Sequence, residues 1–329
     1  MLRWWTLRVR ENFDIELMGV RKLLGVWMKE LVDLVLAKEE KKKIIYSEWP
    51  FPNVLLMAAM KASEDVYIGT PGQVINLTIG SIFDKLRPIL EAGEENGLPP
   101  GSAHCALWQT HVGAIIKGII PTPDLILSSG WYCDQPAEAD QLLHELYGIP
   151  VVYVDGCLDS NWGEWPELSE RLVHYAGEQI KKAQRRIGQE IGCEITEEMQ
   201  HAGLRDNAKL FLNLQTLVEL VGRNDPQPIT QADVGLCYWM TYTPLRNRDE
   251  ANEAIIALCR EVNRRVEQGV GEVEKGAPKI YFALRMAVDP SILKMVEGLG
   301  LSIAVAFVDW LLPMERTKTH FTEFGERVM

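Results

Sequence analysis

The chain has 329 residues, of which 47% are hydrophobic and 24% charged, a composition typical of a globular protein rather than a disordered or fibrous one. Its formal net charge of −12 would repel a polyanion, and no stripe of Lys and Arg offsets that charge, so we expect no nucleic-acid partner. No apolar run approaches the roughly 18 residues that a membrane span needs. We therefore expect a cytoplasmic protein without a membrane segment or a leader peptide.

The first part of the chain is predicted to be helical. Apolar residues recur at helical spacing from Phe13 to Lys43, which predicts one long helix. Two more helices are predicted over Asn53 to Ser63 and over Val74 to Gly97, the latter bent at Pro88. Because a Pro-Pro-Gly break follows, residues 1–98 are predicted to form an N-terminal helical region.

The next segment alternates short apolar strands with helices. Strands are predicted over Leu125 to Ser128 and Pro150 to Val154, and helices over His104 to Lys117 and Ala137 to Tyr147. This alternation indicates a parallel sheet with right-handed crossovers. Residues 99–165 are therefore predicted to form a first α/β lobe.

The rest of the chain is predicted to hold connecting helices and a second lobe. Residues 166–277 carry three long helical patterns: Glu167 to Ile191, Thr196 to Val221 and Asp249 to Val270. Residues 278–329 are predicted as a short α/β lobe with this order of elements: strand Lys279 to Leu284, helix Ser291 to Gly298 and strand Leu301 to Val308. The predicted fold class is α/β, with two parallel-sheet lobes (the second short), an N-terminal helical region and long connecting helices.

Three of the six cysteines fall where a binding site is expected. Cys133 and Cys157 follow two predicted strands, and ligands of parallel sheets collect at the carboxyl ends of strands. Cys105 lies at the start of a helix, where backbone N–H groups favour a thiolate. Three thiolates suit a [4Fe-4S] cluster with one open iron better than a zinc site, which prefers four ligands. The alternative is that these cysteines only fill space in the core.

Other Cys and His residues are expected to be less specific. Three cysteines are interpreted as core or incidental: Cys193, Cys237 and Cys259. His104 and His111 flank the first cysteine, and His104 is a candidate proton donor or substrate hydrogen-bond partner, although such residues are more often supporting or surface groups. His144 is expected to be structural.

The run from Cys105 through Leu125-Ile126-Leu127 to Cys133-Asp134-Gln135 resembles the first lobe of the 2-hydroxyacyl-CoA dehydratase and benzoyl-CoA reductase subunit family. The stretch from Ile191 to Thr196 and the closing unit from Lys279 to Val308 resemble the family too, so the resemblance covers about Gly69 to Val308. The first cysteine followed by a strand and Cys-Asp is its most specific element.

The resemblance implies an oxygen-sensitive cytoplasmic enzyme of anaerobes, with a [4Fe-4S] cluster between two α/β lobes. It implies an acyl-CoA substrate, a related second subunit in a hetero- or homodimer, and a separate ATP-hydrolysing iron-sulfur activator that delivers one electron. The family's dehydratases, which are hydro-lyases, reduce the thioester to a ketyl radical anion, which expels the 2-hydroxyl group as water is eliminated. Cys105 and Cys133 match two cluster ligands of the family.

The sequence also departs from the family pattern. The family's third ligand lies near the end of the second lobe, beyond Met329, so Cys157 replaces it, a partner supplies it, or the cluster is altered or absent. The family's Pro-x-Glu signature reads Pro71-Gly72-Gln73. Besides an iron-sulfur dehydratase subunit, the sequence therefore leaves open a benzoyl-CoA reductase-like subunit and a non-catalytic partner of a cluster-bearing paralogue.

Overall fold

The structure is a computed structural model that describes residues 2–48, 53–99, 104–130, 133–155, 170–243, 246–282 and 289–306. The chain divides into two compact units, each described here by itself. The four-stranded unit comprises Val32–Gln73 and Leu86–Arg205. The two-stranded unit comprises Met1–Leu31, Val74–Lys85 and Asp206–Leu311.

The four-stranded unit is built on a parallel sheet. Its strands are β1 (Lys43–Tyr46), β2 (Val66–Gly69), β3 (Leu125–Ser129) and β4 (Val151–Val154). They are arranged in the order β2-β1-β3-β4, and every neighbouring pair is parallel. The chain adds β2 on one side of β1 and β3 on the other, which makes the gap between β1 and β3 the topological switch point where such sheets bind ligands.

Helices cover this sheet and complete its core. They are α3 (Asn53–Ala62), α5 (Arg87–Glu95), α6 (Ala106–Ile116), α7 (Gln135–Tyr147) and α8 (Glu170–Ile191). Buried side chains of the strands form one apolar cluster with side chains of α3 and α8, among them Ile45, Leu127, Leu55 and Ile180. The near-continuous burial of β1, β2 and β3 explains their apolar, β-branched sequences, since a parallel sheet is covered on both faces.

The two-stranded unit is mainly helical. Its small sheet pairs β5 (Lys279–Phe282) with β6 (Ser302–Ala306) in parallel, and α12 (Pro290–Gly298) lies between them in the chain. The remaining helices of the chain are α1 (Leu2–Asn12), α2 (Met18–Leu36), α4 (Pro71–Ile75), α9 (Glu197–Arg223), α10 (Gln231–Tyr242) and α11 (Arg248–Gln268). Among the helices that the structure describes, none combines the length and apolar character needed to cross a membrane.

The α/β fold class with a larger and a shorter parallel sheet is confirmed, but the expectation of helices alone before residue 98 is wrong. Within the predicted helix from Phe13 to Lys43, the helical part is α2 (Met18–Leu36), and Lys43 begins β1. Strand β2 was also missed, because its four residues lie between two helical patterns. The four predicted domain ranges stay a prediction.

The predicted helix from Val74 to Gly97 is also divided. Its first half ends in a π-helical turn over Asn76–Ile82, and its second half is α5, in whose first turn Pro88 lies. Proline is tolerated there because the first helical N–H groups have no partner within the helix, so Pro88 starts a helix rather than bending one. Helix α10 was not predicted.

A buried hydrogen-bond network joins α10, α12 and β6. The Glu297 Oε1 atom accepts hydrogen bonds from Gln227 Nε2 (2.6 Å) and from the Gln231 backbone N–H (2.8 Å). Gln231 Nε2 donates in turn to the carbonyl oxygen of Ile303 at 2.8 Å. Burial raises the pKa of Glu297 to about 7, and nearby Asp233 contributes to this rise. The hydrogen bonds from Gln231 and Gln227 partly offset it.

We predict that Glu297→Gln removes a pH dependence of stability. Because the folded-state pKa lies above the value of an unfolded Glu, this group stabilises the fold fully below about pH 4.5 and loses that effect as the pH rises to about 7. The free energy of unfolding of the wild type should fall by about 3 kcal/mol relative to Glu297→Gln across that interval. Chemical denaturation at several pH values measures this difference. The exposed Glu274→Gln should follow the wild type, and a parallel course for Glu297→Gln would refute the prediction.

We also predict that Gly113→Ala destabilises the protein. A methyl group at Gly113 in α6 would overlap the carbonyl oxygen of Ile89 in α5, so overpacking should cost about 1–3 kcal/mol despite alanine's better helix propensity. Gly25→Ala in α2 is the matched control, because its methyl group meets no atom within 4 Å and should stabilise the protein by about 0.5–1 kcal/mol. Denaturant unfolding followed by circular dichroism compares the two, and equal effects would disprove the close packing of α5 and α6.

Candidate functional site

The structure brings Cys105 and Cys133 to the same part of the four-stranded unit. Cys105 is the N-cap residue of α6, and Cys133 lies in the loop between β3 and α7. The backbone N–H of Cys105 donates a hydrogen bond to Oε1 of Gln135, in the first turn of α7, at 2.8 Å. This bond ties the loop of one cysteine to the loop of the other.

The two thiols also influence each other electrostatically. The pKa of the Cys105 thiol is raised, chiefly by burial and in part by Cys133, while the backbone N–H of Leu107 lowers it. The N–H groups at the helix start thus lower the pKa of this thiol, as the sequence predicts, but burial outweighs them in the protein without a bound cation. Bound metal cations deprotonate coordinating thiols, so a metal would reverse this preference.

The third predicted ligand, Cys157, lies outside the described residues. Across the ranges the structure describes, no three residues among His, Cys, Asp and Glu are grouped so as to hold a metal ion. The donor set formed by Cys105 and Cys133 is nonetheless the sulfur chemistry that iron-sulfur clusters use, and both residues are only partly buried. The described residues thus fit part of a cluster site, and the remaining ligands are not among them.

His104 lies beside the first cysteine. Its Nε2 atom is 3.8 Å from Oε2 of Glu138 on α7, and its side chain is 11% exposed. The structure therefore gives this imidazole a carboxylate neighbour and limited access to solvent. Its predicted catalytic role stays a prediction.

The other Cys and His residues occupy the following places. Cys237 is fully buried in α10, Cys193 is partly buried after α8, and the Cys259 thiol lies 3.7 Å from the carbonyl oxygen of Asn213. Nδ1 of His144 lies 2.8 Å from the carbonyl oxygen of Ile149, so this imidazole joins the end of α7 to the short loop before β4. These placements agree with structural roles.

A buried carboxyl–imidazole cluster, formed by Glu48, His111 and Asp140, lies behind the cysteines. Nδ1 of His111 is 3.2 Å from Oε1 of Glu48 and 4.0 Å from Oδ1 of Asp140. All three side chains are at most 1% exposed. Oε1 of Glu48 also accepts a 2.6 Å hydrogen bond from the backbone N–H of Gly72. The cluster therefore joins the loop after β1 to α4, α6 and α7.

Burial controls the protonation of this cluster. It lowers the pKa of His111 to about 3 and raises the pKa of Asp140 to about 7, a shift that Ser128 partly offsets. The pKa of Glu48 is raised well above its usual value, first by burial and further by Asp140, against the N–H of Gly72. Burial therefore favours the neutral form of all three groups, and Asp140 changes its protonation near pH 7.

The sequence-based site did not include Glu48 or Asp140, and it placed His111 only as a neighbour of Cys105. Glu48 lies two residues beyond β1, a strand that the sequence analysis did not predict. Had β1 been recognised, Glu48 would have been expected at the carboxyl edge of the sheet, as Cys133 was. Asp140 carries no such signal, since an Asp within an amphipathic helix is usually exposed.

The sequence matches no curated protein. The family model described as "2-hydroxyglutaryl-CoA dehydratase, D-component" matches residues 48–319, a segment that contains the carboxyl–imidazole cluster and both described site cysteines. The match covers well over half of the chain. The chain therefore belongs to the 2-hydroxyglutaryl-CoA dehydratase D-component family.

Proposed function

We propose that the chain is an iron-sulfur subunit of a 2-hydroxyacyl-CoA dehydratase-like enzyme, a lyase that removes water from a 2-hydroxyacyl-CoA. The observation that supports this most directly is the convergence of Cys105 and Cys133 beside Gln135, within the segment that the family model matches. These two cysteines are 28 residues apart in the sequence and come from different loops. Side chains from separate loops meet in this way at the carboxyl edge of a parallel sheet.

In this proposal, Cys105 and Cys133 provide two sulfur ligands, and Cys157 or a residue of a partner subunit provides the third. A bound [4Fe-4S] cluster supplies one-electron transfer at low potential and an open iron that can polarise a thioester carbonyl. The protein's own part is to hold the two thiols. Gln135 fixes the Cys105 backbone, and the partial burial of both cysteines limits the access of water and oxygen to the ligands.

His104 is proposed as the proton-handling group of the site. It adjoins Cys105 in the sequence and faces Glu138, a carboxyl group that can orient the imidazole. A proton donor near the cluster would suit a reaction in which a hydroxyl group leaves, since protonation turns it into water.

The proposal includes partners that the D-component name itself suggests. We propose an acyl-CoA substrate, a related second subunit and an ATP-dependent iron-sulfur activator. Cytoplasmic location likewise remains a prediction. A second candidate function, a non-catalytic subunit packed against a cluster-bearing relative, is favoured by the finding that the described residues group two thiols but no third metal ligand.

We predict that the protein, purified without oxygen, contains about four irons and four sulfides per site and loses them in Cys105→Ser and Cys133→Ser. Loss is expected because each variant removes one of the two converging ligands. Iron and sulfide analysis with the visible spectrum measures this. Cys259→Ser is the matched control and should keep its iron, because this thiol lies in the two-stranded unit, 3.7 Å from a backbone carbonyl oxygen of α9.

Two further outcomes decide between the proposals. Loss of iron in Cys157→Ala would identify Cys157 as the third ligand, whereas retained iron would assign that ligand to another residue or to a partner. A wild-type protein without iron would contradict the cluster and favour the non-catalytic subunit.

A further inference from the structure

The two helices that follow the site cysteines are joined at a second, deeper point. Cys105 is the N-cap residue of α6 and Asp134, next to Cys133, is the N-cap residue of α7. His111 lies six residues beyond the first cap and Asp140 lies six residues beyond the second. At a rise of 1.5 Å per residue, each side chain lies about 9 Å along its helix from the cysteine end.

The contact at this depth runs through the imidazole of His111. Its Nδ1 atom lies between Oε1 of Glu48 (3.2 Å) and Oδ1 of Asp140 (4.0 Å). The backbone N–H of Gly72 holds Glu48 in place beside the sheet. Both α6 and α7 therefore pack against a fixed carboxyl group. Two contacts thus connect α6 and α7: the hydrogen bond from the Cys105 N–H to Gln135 at their N-terminal ends, and the contact of His111 with Asp140 further along. Together they fix how the two helix ends are spaced.

The cluster has one further titratable neighbour. The rings of Tyr46 and His111 meet edge to face, with centroids 5.8 Å apart. The Tyr46 hydroxyl donates to the carbonyl oxygen of Pro121 at 2.9 Å, and burial raises its pKa well above the usual value, so it stays neutral. Among the described residues, Oε2 of Glu48, both ring nitrogens of His111 and both carboxyl oxygens of Asp140 have no hydrogen-bond partner, so the three groups are in contact without being hydrogen-bonded to one another. Protons on Glu48, His111 and Asp140 therefore govern the charge of this region.

We propose that Glu48, His111 and Asp140 are positioning residues whose buried contacts and charge state set the spacing between Cys105 and Cys133. The inference rests on the proposed function only for what the two thiols hold, not for how they are spaced. Neither the family match nor the cysteine pattern assigns a role to these three residues.

The physical reason is the cost of charge in a site sealed from water. An unpaired buried charge is strongly disfavoured, so the three groups cannot all ionise. Below about pH 7, Asp140 is protonated and adds no charge to the cluster. As the pH rises through about 7, the ionised Asp140 places a negative charge beside Glu48, and the arrangement that holds α7 against α6 becomes less stable. The spacing of the two thiols should therefore loosen at alkaline pH.

The test uses a probe of thiol spacing that needs no iron. A trivalent phenylarsenical binds tightly only where it bridges two neighbouring thiols, and its dissociation constant is measured on the full-length protein from about pH 6 to about pH 8.5. Asp140→Asn keeps the shape of the side chain but cannot ionise. We expect the ratio of the wild-type to the Asp140→Asn dissociation constant to rise about tenfold over this range, because thiol ionisation affects both proteins alike and cancels.

Controls separate this effect from a loss of folding. Cys133→Ser should abolish the tight binding, which assigns the signal to the pair. Glu145→Gln, an exposed substitution on the same helix, should leave the ratio to the wild type constant with pH. If Asp140→Asn does not fold, as judged by circular dichroism, Asp140→Ser, which also cannot ionise, replaces it, and the same rise in the ratio is expected.

A constant ratio for Asp140→Asn, or tight binding by Cys133→Ser, would overturn the proposal. The result is independent of the proposed function. A protein without iron whose arsenical binding shows the expected pH dependence would refute the cluster and retain this inference. A protein that contains iron but shows a constant ratio would support the cluster and refute this inference.

Discussion

The parallel pairing of β1 with β3 is the interaction on which the site depends. Ile45 is in register with Leu125. At the start of the pair, Asp124 makes two hydrogen bonds to Ile44, each of 2.8 Å: its backbone N–H donates to the Ile44 carbonyl oxygen, and its Oδ2 accepts from the Ile44 N–H. This pairing sets the loop after β1, which carries Glu48, beside the segment after β3, which carries Cys133. A topological switch point results, and the polar residues of the unit collect there.

The sequence predicted the parts of the fold that have a long or repeated pattern. Strands β3 and β4 alternate with α6 and α7, and their order was enough to predict a parallel sheet and to place Cys105 and Cys133 at one edge. Strands β1 and β2 were missed because each has four residues and directly follows or precedes helical patterns. With β1 unrecognised, the inward position of Glu48 had no signal, and the partnership of His111 with Asp140 depends on tertiary packing, which no local pattern encodes.

Two chemical environments lie within the same unit. Near its surface, two partly buried thiols and an imidazole are suited to soft metal ligation and proton transfer. Behind them lies a sealed group of two carboxyls and an imidazole, in which burial raises the pKa of Glu48 because it makes the charged form costly. The chain belongs to the D-component family, and the proposed role of the buried group is to hold thiols from two separate loops at one spacing.

The most direct test of the account is a crystal structure of the protein purified and crystallised without oxygen, with anomalous scattering recorded at the iron edge. The account predicts iron positions bonded to Sγ of both Cys105 and Cys133, at the carboxyl edge of the four-stranded sheet. An iron-containing protein whose iron is bound elsewhere, with both of these thiols uncoordinated, would contradict it.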